Sequence, residues 1–320
     1  MNLVPRLQHP TRQSQRAAGP RIIGKYQLLE EVGHGSVGVV YRARDHLTDE
    51  EVAVKVFEPP SAAQRDIYKR LFFNEVRANG LLHHPNIVPV LDAGQEGDRY
   101  YVVMEYVPGA RTLEDVRNER LSLPVERVIE IGVDCAEALH YAHGKGVIHR
   151  DIKPANVLIE QSGGARLSDF GIAVLGEGDL AETSTFASAG SPLYMAPEQV
   201  RHDAVTPSTD LFALGVVMYE LLSGQHPFRG TSIAAVTARL LDHDPVPLSS
   251  LREGLPSGLS ELVNATLAKT ALERPSSGLE LARQLSNLLG GQRRPLEGRI
   301  AEGRVDQLRE LDFFRGFGNA

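Results

Sequence analysis

From Tyr26 to about Val107 the apolar positions fall mainly in strand-like runs. These are Val39-Val40-Tyr41, then Val52-Ala53-Val54-Lys55-Val56-Phe57, then Tyr100 to Met104. One helical stretch interrupts them, from about Ala63 to Leu82, with Ile67, Leu71, Ala78 and Leu82 at helical spacing. Pro108-Gly109 breaks the pattern. Beyond it, to about Leu289, most of the chain reads as helix, as in Pro124–His143, Ser208–Ser223 and Ser257–Ala268. A strand-rich half followed by a helical half predicts an α+β, bilobal body with a cleft at the junction. The expected lobes are residues 26–107 and 108–289. Residues 1–25 lack a period and are expected to form a disordered tail. Gly290-Gly291 opens a linker, and residues 290–320 are expected to hold that linker and one short helix.

Composition narrows the function. The net charge of −7 is unevenly spread, because residues 1–29 hold five Lys/Arg and no Asp or Glu. The body is therefore acidic, which argues against a nucleic-acid footprint. No apolar run approaches the ~18–20 residues of a membrane span, and the N-terminus lacks the apolar region of a secretory signal. The single cysteine, Cys135, sits in an apolar helical stretch and is expected to be core packing. One cysteine excludes an internal disulfide and favours a reducing, cytoplasmic setting.

Four segments carry chemistry. Gly33-His-Gly-Ser-Val-Gly38-Val-Val40 has glycines that let backbone amides approach phosphates. Alone it fits an ordinary Gly-rich hairpin equally well. A dinucleotide fold would need a helix next, whereas a β-type run follows and Lys55 comes 17 residues after Gly38. Lys55, in Val52-Ala53-Val54-Lys55, can project beside Ala53 into a cleft and neutralise phosphate oxygens. Glu75 falls on the apolar face of the Ala63–Leu82 helix, where an unpaired carboxylate is costly, so Lys55 is its expected partner. In His149-Arg-Asp151-Ile-Lys153-Pro-Ala-Asn156-Val-Leu158-Ile159, a carboxylate can accept a hydroxyl proton, a lysine can balance phosphate charge and a carboxamide can bind a cation. Asp169-Phe170-Gly171 follows 13 residues after Asn156 and offers a second cation ligand.

Together these residues resemble the eukaryotic-like protein kinase family, and in particular bacterial Ser/Thr kinases. The resemblance runs from Tyr26 to Leu289. It includes Ala196-Pro197-Glu198, the helix motif from Asp210 to Gly215, and Arg274, which it pairs with Glu198. It implies a protein-kinase-like fold that uses ATP and Mg2+, with Mn2+ as a substitute, to phosphorylate Ser or Thr of protein substrates. It further implies that Gly33, Gly35 and Gly38 cover the phosphates and that Lys55 contacts them while pairing with Glu75. Val40 and Ala53 would roof the adenine, Leu158 would floor it, and Met104 would be the gatekeeper. The backbone at Glu105 and Val107 would bind the adenine edge. Asp151 would take the acceptor's proton, Lys153 would steady the phosphoryl group, and Asn156 and Asp169 would hold the metal. The segment from Gly190-Ser191 to Glu198 resembles a peptide-binding loop, which argues against a small-molecule kinase. A nucleotide-binding pseudokinase scaffold is the competing reading, and the complete catalytic set argues against it.

Two departures stand out. Asn79, four residues after Glu75, is polar where the family is commonly apolar and is expected to loosen that helix. Pro108-Gly109-Ala110-Arg111 offers no acidic ribose contact. For regulation, the resemblance makes Arg150 the receiver of a phosphate from the loop 171–196, with Thr183 and Thr185 as the best-placed sites among Thr183, Ser184, Thr185 and Ser188. Near the end, Val305, Leu308 and Leu311 suggest a helix face, and Phe313, Phe314 and Phe317 follow. The run from Leu311 to Phe317 resembles the opening of a cyclic-nucleotide-binding domain, which implies a fragment of a longer protein. The other reading is a helix docked on the body, on a second copy as a homodimer, or on a regulatory domain.

Overall fold

The structure is a computed structural model and describes residues 21–35, 38–170 and 192–290. Thr183, Ser184, Thr185, Ser188 and the tail phenylalanines lie outside the described residues. The N-terminal lobe is built on six antiparallel strands: β1 (Arg21–Ile23), β2 (Tyr26–Gly35), β3 (Gly38–Asp45), β4 (Glu51–Phe57), β5 (Val90–Glu96) and β6 (Arg99–Glu105). Their order is β1-β2-β3-β4-β6-β5. Strand alternation sorts the side chains between two apolar clusters. Val52, Val54, Val56, Tyr101 and Val103 join Ile23, Tyr26 and Ala43 on one face. Phe57, Tyr100, Val102 and Met104 face the other way, against Leu71, Phe72 and Val76 of helix α1 (Arg65–Asn79). Lys55 shares the parity of Phe57 and so points toward α1.

Among the described residues a strand is already present at Arg21, ahead of the start at Tyr26 that periodicity suggests. Ile23 is fully buried and its strand pairs with β2 through Ile23↔Tyr26. Three residues are too short a run for an alternation to register. The sheet is strongly curled, so Gly24 and Gly94 both abut the Tyr101 hydroxyl with no room for a Cβ. Tyr26 donates a hydrogen bond to Asp92 Oδ2 at 2.6 Å, joining β2 to the far edge strand β5. The helix expected over Ala63–Leu82 is shorter: a 3-10 turn at Ala62–Gln64 leads into α1, which ends at Asn79.

The second lobe is mostly helical, but it opens with a small sheet that the helical reading misses. Its strands are β7 (Arg111–Thr112), β8 (Val157–Ile159) and β9 (Ala165–Leu167). The helices are α2 (Leu113–Asn118), α3 (Val125–Gly144), α4 (Pro197–Arg201), α5 (Pro207–Ser223), α6 (Ile233–Asp242), α7 (Leu259–Thr266) and α8 (Gly278–Leu288). Pro207 starts α5, and Gly224, at φ 70°, stops it, as expected for Pro at the first turn and Gly past the last. Residues Thr209 to Tyr219 of α5 are all buried, so this helix is the axis of the lobe. Cys135 of α3 is free and buried in the same core. None of the described helices is long and apolar enough to cross a membrane.

The lobes are stitched between β9 and the chain that follows α1. Leu167 donates to the Asn86 carbonyl at 2.8 Å, and Val88 donates to the Leu167 carbonyl at 2.9 Å. Within the second lobe, Glu198 and Arg274 form a buried double hydrogen bond at 2.7 and 2.8 Å, as the resemblance implies. Thr209 Oγ1 donates to the same carboxylate at 2.8 Å. Burial acts to raise the Glu198 pKa, but the Arg274 hydrogen bonds hold it below the ordinary glutamate value. The pair's stabilisation is therefore complete above that ordinary value and is lost as pH falls through the lowered one. Arg274→Ala strands the carboxylate, and we expect it to cost about 3–5 kcal/mol of stability by urea unfolding at pH 7.

Candidate active site

The expected cleft lies between the lobes, lined by residues of both. Gly33, Val40, Ala53, Met104, Glu105, Val107 and Leu158 line it, and Lys153, Asn156 and Asp169 lie at its polar end. Aliphatic side chains from both lobes thus enclose a slot suited to a flat ring. Gly38 opens β3, where a Cβ would collide with the Val56 carbonyl, so no larger residue fits there.

Lys55 sits behind the cleft, buried, and donates to Glu75 Oε2 at 2.9 Å and to Asp169 Oδ1 at 2.7 Å. One ammonium therefore serves two carboxylates from different lobes. Burial disfavours its charge, but Asp169 and Glu75 more than compensate and hold its pKa above the ordinary lysine value. For Asp169, burial raises and Lys55 lowers, and the ammonium wins, so this carboxyl stays ionised. Burial, with Asp169's charge nearby, pushes Glu75 upward. Asn79 is buried, and its Nδ2 donates to the Glu75 carbonyl at 2.9 Å. The polar residue expected to loosen α1 thus binds its last turn, where Gly80 N–H also returns to Val76.

The second group is the loop after α3. Asp151 Oδ2 accepts from Lys153 Nζ at 2.6 Å and from Asn156 Nδ2 at 3.2 Å. Asn156 Nδ2 also donates to the Asp151 carbonyl at 2.8 Å. With Nδ2 so engaged, Oδ1 is the atom this amide can offer a cation. Asp169 adds a carboxylate in the same cleft, so the donor set is hard oxygen, which fits Mg2+ or Mn2+. Arg150 and Asp169 both adopt left-handed backbone, at φ 66° and 61°. Such strain is held by the surroundings. Asp210, on α5, accepts the backbone N–H groups of His149 at 2.9 Å and Arg150 at 2.8 Å, and His143 Nε2 lies 2.7 Å from it. Phe170, fully buried, packs on His149 with ring centroids 4.5 Å apart.

Sequence reasoning missed two polar residues of the cleft, Thr112 and Asp115. They form a reciprocal cap at the start of α2, where Asp115 N–H donates to Thr112 Oγ1 at 3.0 Å and Thr112 N–H to Asp115 Oδ2 at 2.8 Å. The signal was a Thr-x-x-Asp capping box, just past the segment searched for an acid.

Strands and helices in this arrangement, with one shared ammonium and the Asp151–Lys153–Asn156 loop beside an apolar slot, define a bilobal kinase-type site. A protein kinase domain family model matches residues 26–287. The chain is 37% identical over 277 residues to the serine/threonine-protein kinase PknB of Mycobacterium leprae, covering 85% of this chain and 44% of that protein. It is 35% identical over 256 residues to the serine/threonine-protein kinase PrkC of Bacillus subtilis, covering 80% of this chain and 39% of that one. The crystal structure of the Mycobacterium tuberculosis PknI kinase domain matches with a TM-score of 0.65 at 28% identity, covering 86% of this chain and all of that one. The chain belongs to the protein kinase family. It spans less than half the length of these two curated relatives.

Lys55→Met leaves the buried Glu75 and part-buried Asp169 carboxylates without the ammonium they share, and one should take up a proton near neutrality. An acid whose folded pKa is raised stabilises the fold at low pH and loses that contribution as pH rises through the raised value. The variant's melting temperature should therefore fall relative to the wild type as pH rises from about 5 to 8. Parallel curves across that range would contradict the shared-ammonium account.

Proposed function

We propose that this chain is an ATP-dependent protein kinase that transfers the γ-phosphoryl group of ATP to Ser or Thr hydroxyls of proteins and of its own loop 171–196. The observation that carries the reading is a pair of hydrogen-bonded sets, Lys55–Glu75–Asp169 and Asp151–Lys153–Asn156, whose Lys153, Asn156 and Asp169 line one cleft. The relatives' names and Lys153, two residues after Asp151, support Ser/Thr as acceptors. A scaffold without turnover would have no use for Asp151 held between Lys153 and Asn156.

In this reading the adenine lies between Val40, Ala53 and Leu158, beside Met104, with its edge on the backbone of Glu105 and Val107. Gly33, Gly35 and Gly38 cover the phosphates, and Lys55 meets them. Asn156 and Asp169 hold Mg2+, for which Mn2+ can substitute, and that ion neutralises phosphate charge. The acceptor oxygen attacks the γ-phosphorus as the bond to the bridging oxygen of ADP breaks, and the hydroxyl proton passes to Asp151. Lys153 offsets the charge on the transferring group. Thr112 and Asp115 at the cleft mouth suit the sugar hydroxyls.

Arg150 carries a buried Nε with no hydrogen-bond partner among the described residues. A guanidinium with a buried Nε left without a hydrogen-bond partner supports a role as receiver of a loop phosphate at Thr183 or Thr185. A reducing compartment such as the cytoplasm suits the single buried cysteine, Cys135.

Asp151→Asn keeps the shape and removes the proton acceptor. Transfer from labelled ATP should fall by roughly 10²–10⁴, with ATP binding retained. Near-normal turnover would remove Asp151 from the mechanism. Incubation with Mg-ATP followed by mass spectrometry should find phosphate on Thr183, Thr185 or both, and replacing both with Ala should lower activity toward an added protein. A phosphosite map that omits this loop, or unchanged activity, contradicts the switch.

A further inference from the structure

Arg42 of β3 lies on the cleft side of the first-lobe sheet. Strand alternation puts it on the face of Val40, and pairing sets it opposite Ala53 of β4 and Glu30 of β2. Val40 and Ala53 both line the cleft. Two acids from the neighbouring strands hold the guanidinium. Its Nη1 donates to Glu51 Oε1 at 3.1 Å. Its Nε lies 2.9 Å from Glu30 Oε1, an ion pair outside hydrogen-bond geometry. So fixed, the cation sits over the Tyr106 ring, with Cζ 6.0 Å from the ring centroid.

Tyr106 also lines the cleft, in the segment that joins the lobes. That segment is anchored on either side of it. Glu105 N–H donates to the Pro89 carbonyl at 3.1 Å, and Ala110 N–H donates to the Val107 carbonyl at 3.2 Å. Between these anchors lie the two peptide groups that flank Tyr106, which carry the Glu105 carbonyl and the Val107 N–H. Peptide groups are planar, so the φ and ψ of Tyr106 set how that acceptor and that donor face. Arg42 holds the ring attached to those two torsions. Its ion pairs are partly exposed, with Arg42 at 31% and Glu30 at 58% side-chain exposure, so they add little to stability by themselves. Their consequence is the position of Tyr106.

We propose that Arg42 is a positioning residue for the base of the bound nucleotide: it holds the Tyr106 ring to the first lobe and so presets the Glu105 carbonyl and Val107 N–H that meet the adenine edge. The inference rests on the kinase reading above, which places the adenine on that backbone. An acceptor and a donor already set in the bound orientation take the base without the ordering cost of a free backbone residue. For one residue that cost corresponds to about 10-fold in affinity. The phosphates lie outside this effect. Main-chain pairing joins β2 to β3 from Tyr26↔Asp45 to Gly35↔Gly38, so the glycines keep their place without the Arg42 side chain.

The test uses the full chain. Calorimetry gives the Kd of the Mg2+ complex of the non-hydrolysable ATP analogue AMP-PNP, and competition against a fluorescent ADP analogue gives the Kd of adenosine and of tripolyphosphate. Initial rates with myelin basic protein as acceptor give kcat and the KM for ATP. Arg42→Ala should weaken AMP-PNP and adenosine by the same factor, about 10-fold, and leave tripolyphosphate within about 2-fold. The KM for ATP should rise about 10-fold while kcat at saturation stays within about 3-fold. The melting temperature should stay within about 4 °C of the wild type. Tyr106→Leu, which removes the ring, should give the same shift, and the double variant should lose no more than either alone. Should Arg42→Ala melt early, Tyr106→Leu carries the same test. Arg42→Lys, which keeps a cation for the ring, should recover part of the affinity. The proposal is overturned if either variant binds adenosine as the wild type does, if tripolyphosphate weakens as much as adenosine, or if kcat falls with the KM for ATP unchanged. Failure of the wild type to bind AMP-PNP or to transfer phosphate would instead overturn the kinase reading.

Discussion

The buried carboxylate of Asp210 is the constraint on which the active site depends. It is 1% exposed, sits on the central helix α5, and collects two backbone N–H groups from His149 and Arg150 together with His143 Nε2. Arg150 is thereby held in a left-handed conformation that an arginine would not choose. That turn sets the direction of Asp151, and Lys153 and Asn156 then close on its carboxylate. The buried axis of the lobe is thus tied to the residue before Asp151 through hydrogen bonds from main-chain N–H groups to the Asp210 carboxylate.

The other half of the site depends on a charge shared across the lobes. Lys55 reaches α1 because strand alternation puts it on the same face as Phe57, and it reaches Asp169 because β9 is tied to the chain after α1. Each carboxylate is tolerable in a buried setting because the same ammonium neutralises both. The described state therefore has α1 drawn in and Phe170 seated on His149, with Asn79 fastening the last turn of α1 to the Glu75 carbonyl.

Much of the site was legible because its chemistry is written in short segments. The loop from His149 to Asn156, Asp169-Phe170 and Val52–Lys55 each hold their residues at spacings that local backbone geometry preserves. The Lys55–Glu75 pair was legible for another reason, that a charge on an apolar face needs a partner, whereas the Glu198–Arg274 pair was legible only through the family resemblance. The capping box at Thr112 and Asp115 was also in the sequence, but its place at the cleft mouth was not, since that depends on where β7 and α2 pack. Strand β1 escaped notice because burial of Ile23 comes from the curl of the sheet, which brings Gly24 and Gly94 against Tyr101. Asn79 was read as loosening α1 from its polarity alone, whereas only the folded structure shows it buried with its amide donating to the Glu75 carbonyl.

What the sequence determined by itself is the two-lobed plan, a strand-rich half followed by a helical one, and the segments that line the cleft, because periodicity and charge burial act locally. What only the tertiary structure decided is how those side chains are shared. It brings Lys55 between carboxylates 20 and 114 residues away along the chain, and Asp210 beneath a loop 60 residues earlier. It also places α2 against both the cleft and Tyr194. Such contacts join segments remote in the chain, and their geometry follows from the packing of whole elements against one another rather than from any local pattern.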